Sequence, residues 1–480
     1  MPEKINGLAF NRISDDSRNV VPGDLFFALQ GARHDGTRFI DEALTRGAAA
    51  VIIAHGASLQ REDPRIIRVE DPRSMLAEYA ARFYRFPSRR LKVIGITGTN
   101  GKTTVSYLVR AIMTAAGKTP GVVGTIAHSW KDKTVASVNT TPGALEVQRL
   151  LNAMAEDGVI CCAMEVSSHA LDQGRVLGID FTGAIFTNLT GEHLDYHGTI
   201  EKYLAAKARL FTGLGADRYA VINADDACYG YLRQATSARV ISYGLTADAD
   251  LRAEEIALTD DGTRFLVRDQ RGSWSVTTPL IGLFNVYNIL AAIACARAEG
   301  CERETIREAL RECTGADGRL ERVDPESGRR VYVDYAHTDD ALENVLMALK
   351  AIAPRKIILV FGCGGDRDRS KRPRMGKVAS RLADYVIITS DNPRSEDPAL
   401  IAREIERGIE QGFTNYEMIP DRSDAIARAV RLGGAEDVVV IAGKGHERNQ
   451  IIGSTVTPFS DKEVARLMIS RYKGGGDAGA

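Results

Sequence analysis

Short apolar runs alternate with amphipathic stretches along this chain. The runs have the length and composition of buried strands, and the stretches between them space their apolar residues as helices do. Strands are predicted at residues 24–29, 50–53, 158–164, 184–187, 331–334, 356–361, 385–389 and 438–441, and a helix at residues 73–84. Because strands that alternate with helices form parallel sheets covered on their faces, the pattern predicts an α/β fold.

The length of the chain predicts three domains, because 480 residues exceed what one ordinary hydrophobic core organises. A small N-terminal α/β domain is expected over residues 1–88, and a central domain with a mostly parallel sheet of the phosphate-loop type over residues 89–325. Residues 326–472 are predicted to form a C-terminal, doubly wound domain of the Rossmann type. The glycine-rich tail, residues 473–480, is expected to be disordered.

The charge balance argues against a nucleic-acid partner. The chain has 62 Lys and Arg residues against 63 Asp and Glu residues, which leaves no basic footprint. No apolar run approaches the roughly 20 residues of a membrane span, and the N-terminus lacks a signal-peptide core. We expect a cytoplasmic protein with small-molecule partners, and a monomer. The seven cysteines are scattered without paired spacing, which favours reduced thiols over disulfides or a zinc site.

A glycine-rich segment at residues 95–104 carries the clearest chemical signal. It follows the apolar run 92–94 and precedes a helical pattern, so it is predicted to connect a strand to a helix N-terminus. In such a turn backbone N–H groups approach phosphate oxygens, Lys102 supplies a mobile cation, and the Thr103 hydroxyl can bind Mg²⁺. The expected ATP-binding residues are Gly98, Thr99, Asn100, Gly101, Lys102, Thr103 and Thr104. The generic eight-residue motif would need glycine at Ile96, so a merely structural turn stays as an alternative.

Further candidates follow this segment. Glu165 comes at the end of a predicted strand, where a carboxylate together with Thr103 would suit Mg²⁺, although an acid there can also cap a helix. His193 and His197 are four residues apart and are interpreted either as metal ligands or as turn-packing groups. Lys207, on a predicted helix, would ordinarily be a solvated surface lysine.

Five ordered motifs resemble those of the Mur ligases, and the resemblance covers essentially the whole chain. The motifs are Gly-Ile-Thr-Gly-Thr-Asn-Gly-Lys-Thr-Thr at 95–104, Glu-Val-Ser-Ser-His at 165–169, His-Leu-Asp-Tyr-His-Gly at 193–198, Asp-Tyr-Ala-His-Thr at 334–338 and Gly-Lys-Gly-His-Glu at 443–447. The resemblance implies an ATP-dependent amide ligase of peptidoglycan synthesis. Such an enzyme would add meso-diaminopimelate to the D-glutamyl γ-carboxylate of UDP-N-acetylmuramoyl-L-alanyl-D-glutamate through an acyl phosphate. Asp339 departs from the family, which usually has proline there, but an acid should still favour the helix start.

The resemblance also assigns roles at the phosphate and metal centre. It implies that Lys207 is carbamylated (N6-carboxylysine), which turns a cation into an anionic ligand of Mg²⁺. The implied metal ligands are Thr103, Glu165, His193 and the carbamate of Lys207. The implied catalytic residues are Lys102, Lys207, His193 and His337, of which His337 is a candidate acceptor for the amine proton, as is a carboxylate. Asn285, Arg319 and Asp334 are implied to lie near the nucleotide, although the sequence alone leaves Asn285 as a helix cap.

For the nucleotide sugar, the resemblance implies a set of hydroxyl, amide and guanidinium donors suited to diphosphate and carboxylate groups. The UDP end is assigned to Ser17, Ala32, Arg33 and His34, and the muramoyl-peptide end to Asn139, Thr140, Thr141, Ser167, Gln173 and Arg175. Taken singly, each of these residues also has an ordinary turn or cap interpretation.

For the amino acid, the implied binding residues are Arg367, Asp391, Asn392, Pro393, Arg394, Gly443 and Glu447. In the family, Asp-Asn-Pro-Arg is associated with meso-diaminopimelate rather than lysine. The chemistry agrees, because Arg394 can form a fork with the second carboxylate of diaminopimelate and Asp391 complements an ammonium group. The same four residues could also be an unremarkable turn. The alternatives are the lysine-adding form, a folylpolyglutamate or cyanophycin type of ligase, and a nucleotide-dependent switch without an amino-acid pocket.

Overall fold

The computed structural model describes residues 3–5, 7–31, 35–59, 62–246, 248–352 and 355–473. The candidate residues Ala32, Arg33 and His34 lie outside the described residues, as does the predicted tail from residue 474 onward. Lys473, the first residue of the predicted tail, is instead the last residue of a helix. No helix in the described ranges is long and apolar enough to cross a membrane.

The N-terminal part is a small α/β unit. Its elements are β1 (Glu3–Ile5), β2 (Leu8–Phe10), β3 (Arg12–Ser14), β4 (Asp24–Phe27), α1 (Ile40–Thr45), β5 (Ala50–Ala54), β6 (Ile66–Val69) and α2 (Pro72–Phe83). Strands β3, β4, β5 and β6 pair in this order and run parallel. Helix α2 begins at Pro72 because Asp71 accepts hydrogen bonds from the backbone N–H groups of Arg73 and Ser74.

The central part is built on a long sheet. Its elements are β7 (Lys92–Thr97), α3 (Lys102–Ala115), β8 (Pro120–Val123), β9 (Ala127–Trp130), β10 (Lys133–Ala136), α4 (Ala144–Glu156), β11 (Cys161–Glu165), α5 (Ser168–Asp172), β12 (Phe181–Phe186), α6 (Leu194–His197), α7 (Ile200–Thr212), β13 (Tyr219–Asn223), α8 (Tyr229–Ala235), β14 (Arg239–Gly244), β15 (Leu251–Thr259), β16 (Gly262–Asp269), β17 (Gly272–Thr278), α9 (Leu283–Ala298) and α10 (Arg303–Glu312). Alternate residues of β7 pack into two separate apolar clusters, Ile94 and Ile96 with α3 and α9, and Val93 with α4. Helices therefore cover both faces of the sheet.

The order of strands in this sheet is β10-β9-β8-β11-β7-β12-β13-β14-β15-β16-β17, eleven strands within the described residues. The strands from β8 to β15 in this order are parallel, which confirms the predicted mostly parallel sheet. Strands β9, β10, β16 and β17 add antiparallel edges, which the alternating pattern did not predict. The phosphate-loop strand β7 lies in the parallel middle.

The C-terminal part is a doubly wound unit, as predicted. Its elements are β18 (Glu321–Arg322), β19 (Arg330–Asp334), α11 (Asp339–Ile352), β20 (Ile357–Phe361), α12 (Lys371–Leu382), β21 (Tyr385–Ile388), α13 (Pro398–Glu406), β22 (Tyr416–Met418), α14 (Arg422–Leu432), β23 (Val438–Ala442), β24 (Asn449–Ile452), β25 (Thr455–Pro458) and α15 (Asp461–Lys473). The strand order is β18-β19-β23-β20-β21-β22, parallel except for β18. β18 lies before residue 326, so this sheet includes residues that the sequence assigned to the central domain. The exact domain boundaries stay predictions.

The central and C-terminal parts meet beside the phosphate loop. Helix α11 begins at Asp339, in agreement with the expectation that an acid there favours a helix start. The next residue, Asp340, accepts hydrogen bonds from Asn100 Nδ2 at 2.7 Å and Thr190 Oγ1 at 3.1 Å. Ile281, just before α9, packs into the apolar core of the C-terminal part. These contacts place the carboxyl end of β7 next to the segment that follows β19.

Candidate active site

The phosphate loop lies between β7 and α3. Gly101 has a φ of 88°, and a Cβ at this position would overlap the Asn288 side chain, so a glycine is required. The N–H groups in the first turn of α3 have no helical acceptors, and the helix dipole there favours anions. Lys102 Nζ donates to the carbonyl oxygens of Gly98 and Thr99, at 2.8 Å each. The geometry is that of an anion-binding loop with its lysine folded onto the loop.

Asn188, which follows the neighbouring strand β12, holds the front of this loop. Its carbonyl oxygen accepts from the Thr99 N–H at 2.8 Å, and its Oδ1 accepts from the Asn100 N–H at 2.9 Å. These two N–H groups are therefore engaged within the protein. Anion binding is left to the helix start, where Thr103 and Thr104 are buried in the first turn.

Glu165 lies at the carboxyl end of β11, next to β7, and is fully buried. Its Oε2 accepts from Thr103 Oγ1 and from Thr125 Oγ1, both at 2.9 Å, and its Oε1 accepts from the Thr125 N–H at 2.9 Å. Helix α5 is capped by Ser167 rather than Glu165, so the capping interpretation of Glu165 is wrong. A carboxylate and a hydroxyl beside an anion-binding loop are oxygen ligands of the kind that Mg²⁺ prefers.

Lys207 is 1% exposed, so the interpretation as a solvated surface lysine is wrong. Its Nζ donates to the Gly98 carbonyl at 2.8 Å and lies 4.4 Å from the centre of the Tyr203 ring. Burial, and after it the charge of Lys102, hold the pKa of Lys207 well below its usual value. Burial thus favours the neutral amine more than it would be favoured in water, directly beside the phosphate loop.

His193 belongs to an aromatic group at the mouth of this site. The ring centres of His169 and His193 are 4.8 Å apart, and those of His169 and His197 5.5 Å apart. His197 Nε2 lies 3.0 Å from Ser168 Oγ, which supports the turn-packing interpretation for His197. Burial lowers the pKa of His193, and its Nε2 lies 3.8 Å from a carboxylate oxygen of Glu192.

A metal centre made of acids, histidines and cysteines alone is not present in the part of the chain that the structure describes, where no group of three or more such side chains is placed to hold an ion. The proposed set of Thr103, Glu165, His193 and Lys207 depends instead on a hydroxyl, on a modified lysine and on phosphate oxygens. This set stays a prediction.

Arg319 reaches the phosphate loop from the C-terminal side. Its Nη2 donates to Thr103 Oγ1 at 3.2 Å, and its guanidinium carbon lies 4.6 Å from the centre of the Tyr335 ring. Asp334, at the end of β19, accepts the N–H groups of Leu320 and Ala336, both at 2.6 Å. Burial raises the pKa of Asp334. Asp334 thus positions the segment that carries Arg319.

Asn285 is buried in the first turn of α9. Its Nδ2 donates to the Ile281 carbonyl at 2.9 Å, and its Oδ1 accepts from Asn288 Nδ2 at 3.1 Å. The cap of α9 is Gly282, so Asn285 is not the N-cap residue that the sequence alone suggested. Through Asn288, the side chain of Asn285 is linked to Gly101 of the phosphate loop.

His337 lies after β19, with Nδ1 at 2.9 Å from the Tyr335 carbonyl oxygen. A carbonyl can only accept a hydrogen bond, so Nδ1 carries the proton and Nε2 is the basic nitrogen of the neutral ring. Burial, and after it the charge of Lys371, lower the pKa of His337, while Glu192 opposes the shift. His337 is thus held as a neutral base near Glu192.

Threonines connect the candidate muramoyl-peptide residues to Glu165. Thr140 Oγ1 lies 3.1 Å from Thr125 Oγ1, whose single proton goes to Glu165. Thr141 Oγ1 donates to the Glu165 carbonyl at 2.9 Å and accepts the Ser167 N–H at 3.0 Å. These residues therefore lie together. Asn139 is exposed next to them, and Ser17 is buried in the N-terminal part, where its hydroxyl donates to Glu42.

Arg175 is a half-buried cation in this region. Its Nη1 donates to the Thr141 carbonyl at 3.0 Å, and its Nε and Nη2 donate to Gln173 Oε1 at 3.0 and 2.6 Å. All of these acceptors are neutral, and among the described residues no carboxylate pairs with Arg175. Burial, and after it the charge of Arg73, lower the pKa of Arg175. A desolvated guanidinium without a countercharge favours an anionic ligand.

The candidate amino-acid residues follow three neighbouring strands, β23, β20 and β21. Asp391 is buried after β21, and a Cβ on Gly443, after β23, would come within 2.7 Å of Asp391 Oδ2. Arg394 Nη1 donates to the Gly365 carbonyl at 2.7 Å, which anchors one arm of the guanidinium. Arg367 is exposed in the loop after β20. The hydrogen-bonded turn begins at Pro393, so the turn interpretation holds for Pro393 and Arg394 and not for all of 391–394. We call the loops after β23, β20 and β21 the amino-acid pocket.

Glu447 lies against this segment, and its Oε2 accepts from Asn392 Nδ2 at 2.7 Å. Pro393 is buried and its carbonyl accepts the Glu396 N–H, which closes the turn. The two arginines lie near Gly364, whereas Asp391 lies near Gly443 and Glu447 contacts Asn392. This distribution of charge fits a molecule with both carboxylate and ammonium groups.

Several residues of these sites were not found from the sequence, namely Thr125, Asn188, Asp340 and Lys444. Thr125 and Asn188 are ordinary loop residues whose partners are distant in the chain. Asp340 lies two residues after the motif at 334–338, and nothing in the sequence showed that it contacts Asn100. Lys444 gave one usable signal, because a lysine between two glycines directly after an apolar strand is an unusual place for a charge.

The chain belongs to the Mur ligase family. Residues 10–84 match the Mur ligase family, catalytic domain; residues 96–296 match the Mur ligase middle domain; and residues 318–445 match the Mur ligase, glutamate ligase domain. The three matches follow the three largest sheets of the structure in order.

Within this family the chain is similar to proteins of one name. A UDP-N-acetylmuramoyl-L-alanyl-D-glutamate–2,6-diaminopimelate ligase of Geobacillus thermodenitrificans is 45% identical over 464 residues, which cover 95% of this chain and 94% of that protein. The ligase of the same name from Solibacter usitatus is 44% identical over 473 residues, 98% of this chain and 94% of that protein. A solved structure of a ligase of this name has a TM-score of 0.69 and 36% identity, with 97% of this chain and 96% of that chain covered. A MurF from Acinetobacter baumannii shares the fold, with a TM-score of 0.65, 21% identity and 92% of each chain covered.

Proposed function

We propose that this protein is an ATP-dependent ligase that joins meso-diaminopimelate to the D-glutamyl γ-carboxylate of UDP-N-acetylmuramoyl-L-alanyl-D-glutamate. The observation that carries the proposal is a set of two arginines and two carboxylates on the loops of the C-terminal part, namely Arg367, Arg394, Asp391 and Glu447. The C-terminal part also contacts the phosphate loop through Asp340 and Arg319. The similarity to diaminopimelate ligases over 95% of the chain supports it. The enzyme serves peptidoglycan synthesis.

The reaction proceeds in two steps. The γ-carboxylate attacks the γ-phosphorus of ATP, the bond to the bridging oxygen breaks, and an acyl phosphate and ADP form. The amine of diaminopimelate then attacks the acyl carbon, and inorganic phosphate leaves. Lys102 and the first turn of α3 stabilise the charge on the transferred phosphoryl group, and Arg319 is close enough to assist. The remaining rate enhancement comes from holding the reactants in register.

Mg²⁺ would be held by Glu165 and Thr103 together with phosphate oxygens, and by His193 and a carbamate on Lys207. When bound, it would neutralise phosphate charge. Support for the carbamate comes from the burial and lowered pKa of Lys207, because the neutral amine is the form that reacts with CO₂. In that reaction a bond forms between Nζ of Lys207 and the carbon of CO₂, and the nitrogen releases a proton. The product is a carbamate whose two oxygens share a negative charge near Gly98.

We propose His337 as the acceptor of the proton that the attacking amine must lose. The hydrogen bond of its Nδ1 with the Tyr335 carbonyl leaves Nε2 free to accept, and the neighbouring carboxylate of Glu192 would stabilise the imidazolium ion. Nucleotide contacts are proposed for residues 98–104, Asn285, Arg319 and Asp334. The muramoyl peptide would be bound by residues 139–141, Ser167, Gln173 and Arg175, and the UDP end by Ser17 and residues 32–34.

The test is the dependence of ADP release on the two other substrates. ADP should appear at a sustained rate only when UDP-muramoyl dipeptide and diaminopimelate are both present. Sustained ATP turnover without them would favour a nucleotide-dependent switch and overturn the proposal. Equal incorporation of lysine and diaminopimelate from a mixture would contradict the choice of amino acid, and glutamate as the accepted amino acid would indicate a folylpolyglutamate type of ligase.

We also propose that the enzyme works in the cytoplasm as a monomer and without a nucleic-acid partner. The support is that ATP and a nucleotide sugar are its substrates, and that basic and acidic residues nearly balance. Light scattering at the concentration of the assay should give the mass of one chain. A stable dimer would refute the monomer.

A further inference from the structure

Lys444 is a fully buried cation behind the amino-acid pocket. It follows Gly443 at the end of β23, and its side chain is 0% exposed. All three hydrogens of its ammonium group have acceptors: Asn392 Oδ1 at 3.0 Å, Glu447 Oε2 at 2.9 Å and the Asn449 carbonyl at 2.8 Å. A lysine is rarely buried in this way unless it is paired, because the loss of hydration must be compensated.

The first consequence concerns the orientation of Asn392. Its side-chain oxygen faces two donors, Lys444 Nζ at 3.0 Å and the Ile451 N–H at 3.0 Å. An amide nitrogen in that position would meet only other donors, so the two possible orientations of the amide are not equivalent. The Asn392 Nδ2 group is thereby directed to Glu447, with one hydrogen in the 2.7 Å bond and a second hydrogen left to donate.

The second consequence concerns Glu447. Its Oε2 accepts from both Lys444 and Asn392, whereas Oε1 has no hydrogen-bond donor among the described residues. The side chain is 31% exposed, so Oε1 is accessible. The two carboxylate oxygens therefore differ: one is fixed from behind and the other is left for a ligand. Asp391 Oδ2, next to Gly443, likewise has no hydrogen-bond donor among the residues that the structure describes.

We propose that Lys444 is a positioning residue for the amino-acid substrate, an inference that rests on the proposed function and deepens it. Lys444 holds Glu447 Oε2 so that Oε1 accepts an ammonium group of the substrate, and it holds the Asn392 amide as a donor. Lys444 itself does not contact the substrate. Lys444 therefore supports the binding of any amino acid with a second ammonium group. Arg394 supports only the binding of diaminopimelate, because it contacts the second carboxylate.

The experiment is a double-mutant cycle on amino-acid binding. Binding of meso-diaminopimelate and of lysine is measured by calorimetry, together with the KM of each substrate in the ADP-release assay. Lys444→Met should weaken both amino acids by about tenfold to a hundredfold, the range seen when residues that orient metal ligands are removed. The KM values of ATP and of UDP-muramoyl dipeptide should stay unchanged. Lys462→Met, which breaks a Lys–Glu pair with Glu321 in the same domain, is the control and should alter none of them.

The cycle separates positioning from a merely structural role. If Lys444 acts through Glu447, Lys444→Met should cause little further loss when it is added to Glu447→Gln. An undiminished loss in that background, or an equal rise in the KM of ATP, would overturn the proposal. If Lys444→Met does not fold, Lys444→Gln provides the same measurement with a donor but no charge. Calorimetry measures amino-acid binding even if the wild-type protein forms no product. Intact binding without product would refute the proposed function and leave the role of Lys444 to be tested by the binding data.

Discussion

Removal of the Arg394 guanidinium should reduce the preference for diaminopimelate over lysine. In the structure, Arg394 Nη1 is anchored to the Gly365 carbonyl at 2.7 Å, so the guanidinium is held in place before a ligand arrives. The remaining N–H groups can form two parallel hydrogen bonds with a carboxylate. Lysine has no carboxylate at this end, so Arg394→Ala removes an interaction that only diaminopimelate makes.

The magnitude follows from the environment of Arg394. Hydrogen bonds to charged groups contribute about 1.5–3 kcal/mol each, and two of them would contribute about 3–6 kcal/mol. Arg394 is only half-buried, so water competes and the lower limit, about 3 kcal/mol, is the appropriate value. This free energy corresponds to a change of about a hundredfold in the ratio of kcat/KM values.

A competition assay measures this ratio directly. Equal concentrations of diaminopimelate and lysine are offered with ATP and UDP-muramoyl dipeptide, and the two products are separated by mass. Arg403→Ala, an exposed arginine on α13, is the control and should keep the wild-type ratio. An unchanged ratio in Arg394→Ala would refute the assignment of Arg394 to the second carboxylate.

Three further predictions concern other parts of the molecule. Lys207→Ala should abolish ligation with the fold intact and without rescue by bicarbonate; wild-type rates in this variant would exclude the carbamate. Gly443→Ala places a Cβ 2.7 Å from Asp391 Oδ2 at a φ of 114°. The KM for diaminopimelate should therefore rise at least about tenfold, whereas the KM for ATP should stay at the wild-type value. A wild-type KM for diaminopimelate in this variant would contradict the pocket. The Arg372 guanidinium lowers the pKa of Glu396 from 4.5 to about 2, so ionised Glu396 stabilises the folded state above its unfolded pKa. In urea denaturation, the stability advantage of wild type over Glu396→Gln should be constant at neutral pH and shrink from about pH 5 to pH 2; an advantage that grows on acidification would contradict the pair.

Local patterns predicted the elements well. The strand at residues 331–334 is observed as Arg330–Asp334, and the helix at residues 73–84 as Pro72–Phe83, because apolar periodicity and capping residues act within a few positions. The antiparallel edges of the central sheet were missed. Their partners are chosen by the sheet as a whole, and the residues of one strand do not specify whether its neighbour runs parallel or antiparallel.

The candidate site was predictable only as far as motifs could mark it. Glu165 and the phosphate loop come at the ends of apolar strands, which is a visible signal. The burial of Lys207 could not be predicted from the local sequence, because its hydrogen-bond acceptor, the Gly98 carbonyl, lies 109 positions away along the chain. The contact between Asp340 and Asn100 spans 240 positions for the same reason. Such partners are brought together by the topology of the sheets, which local spacing does not encode.

The amino-acid pocket has one further consequence, for the evolution of the enzyme. Arg367, Asp391, Arg394, Gly443 and Glu447 all follow the ends of strands of the C-terminal sheet, whereas the phosphate loop, Glu165 and Lys207 belong to the central part of the chain. With the proposed roles, substitutions in a few loop positions would change the accepted amino acid without touching the groups proposed for phosphoryl transfer. The choice of amino acid and the use of ATP would then be open to separate change.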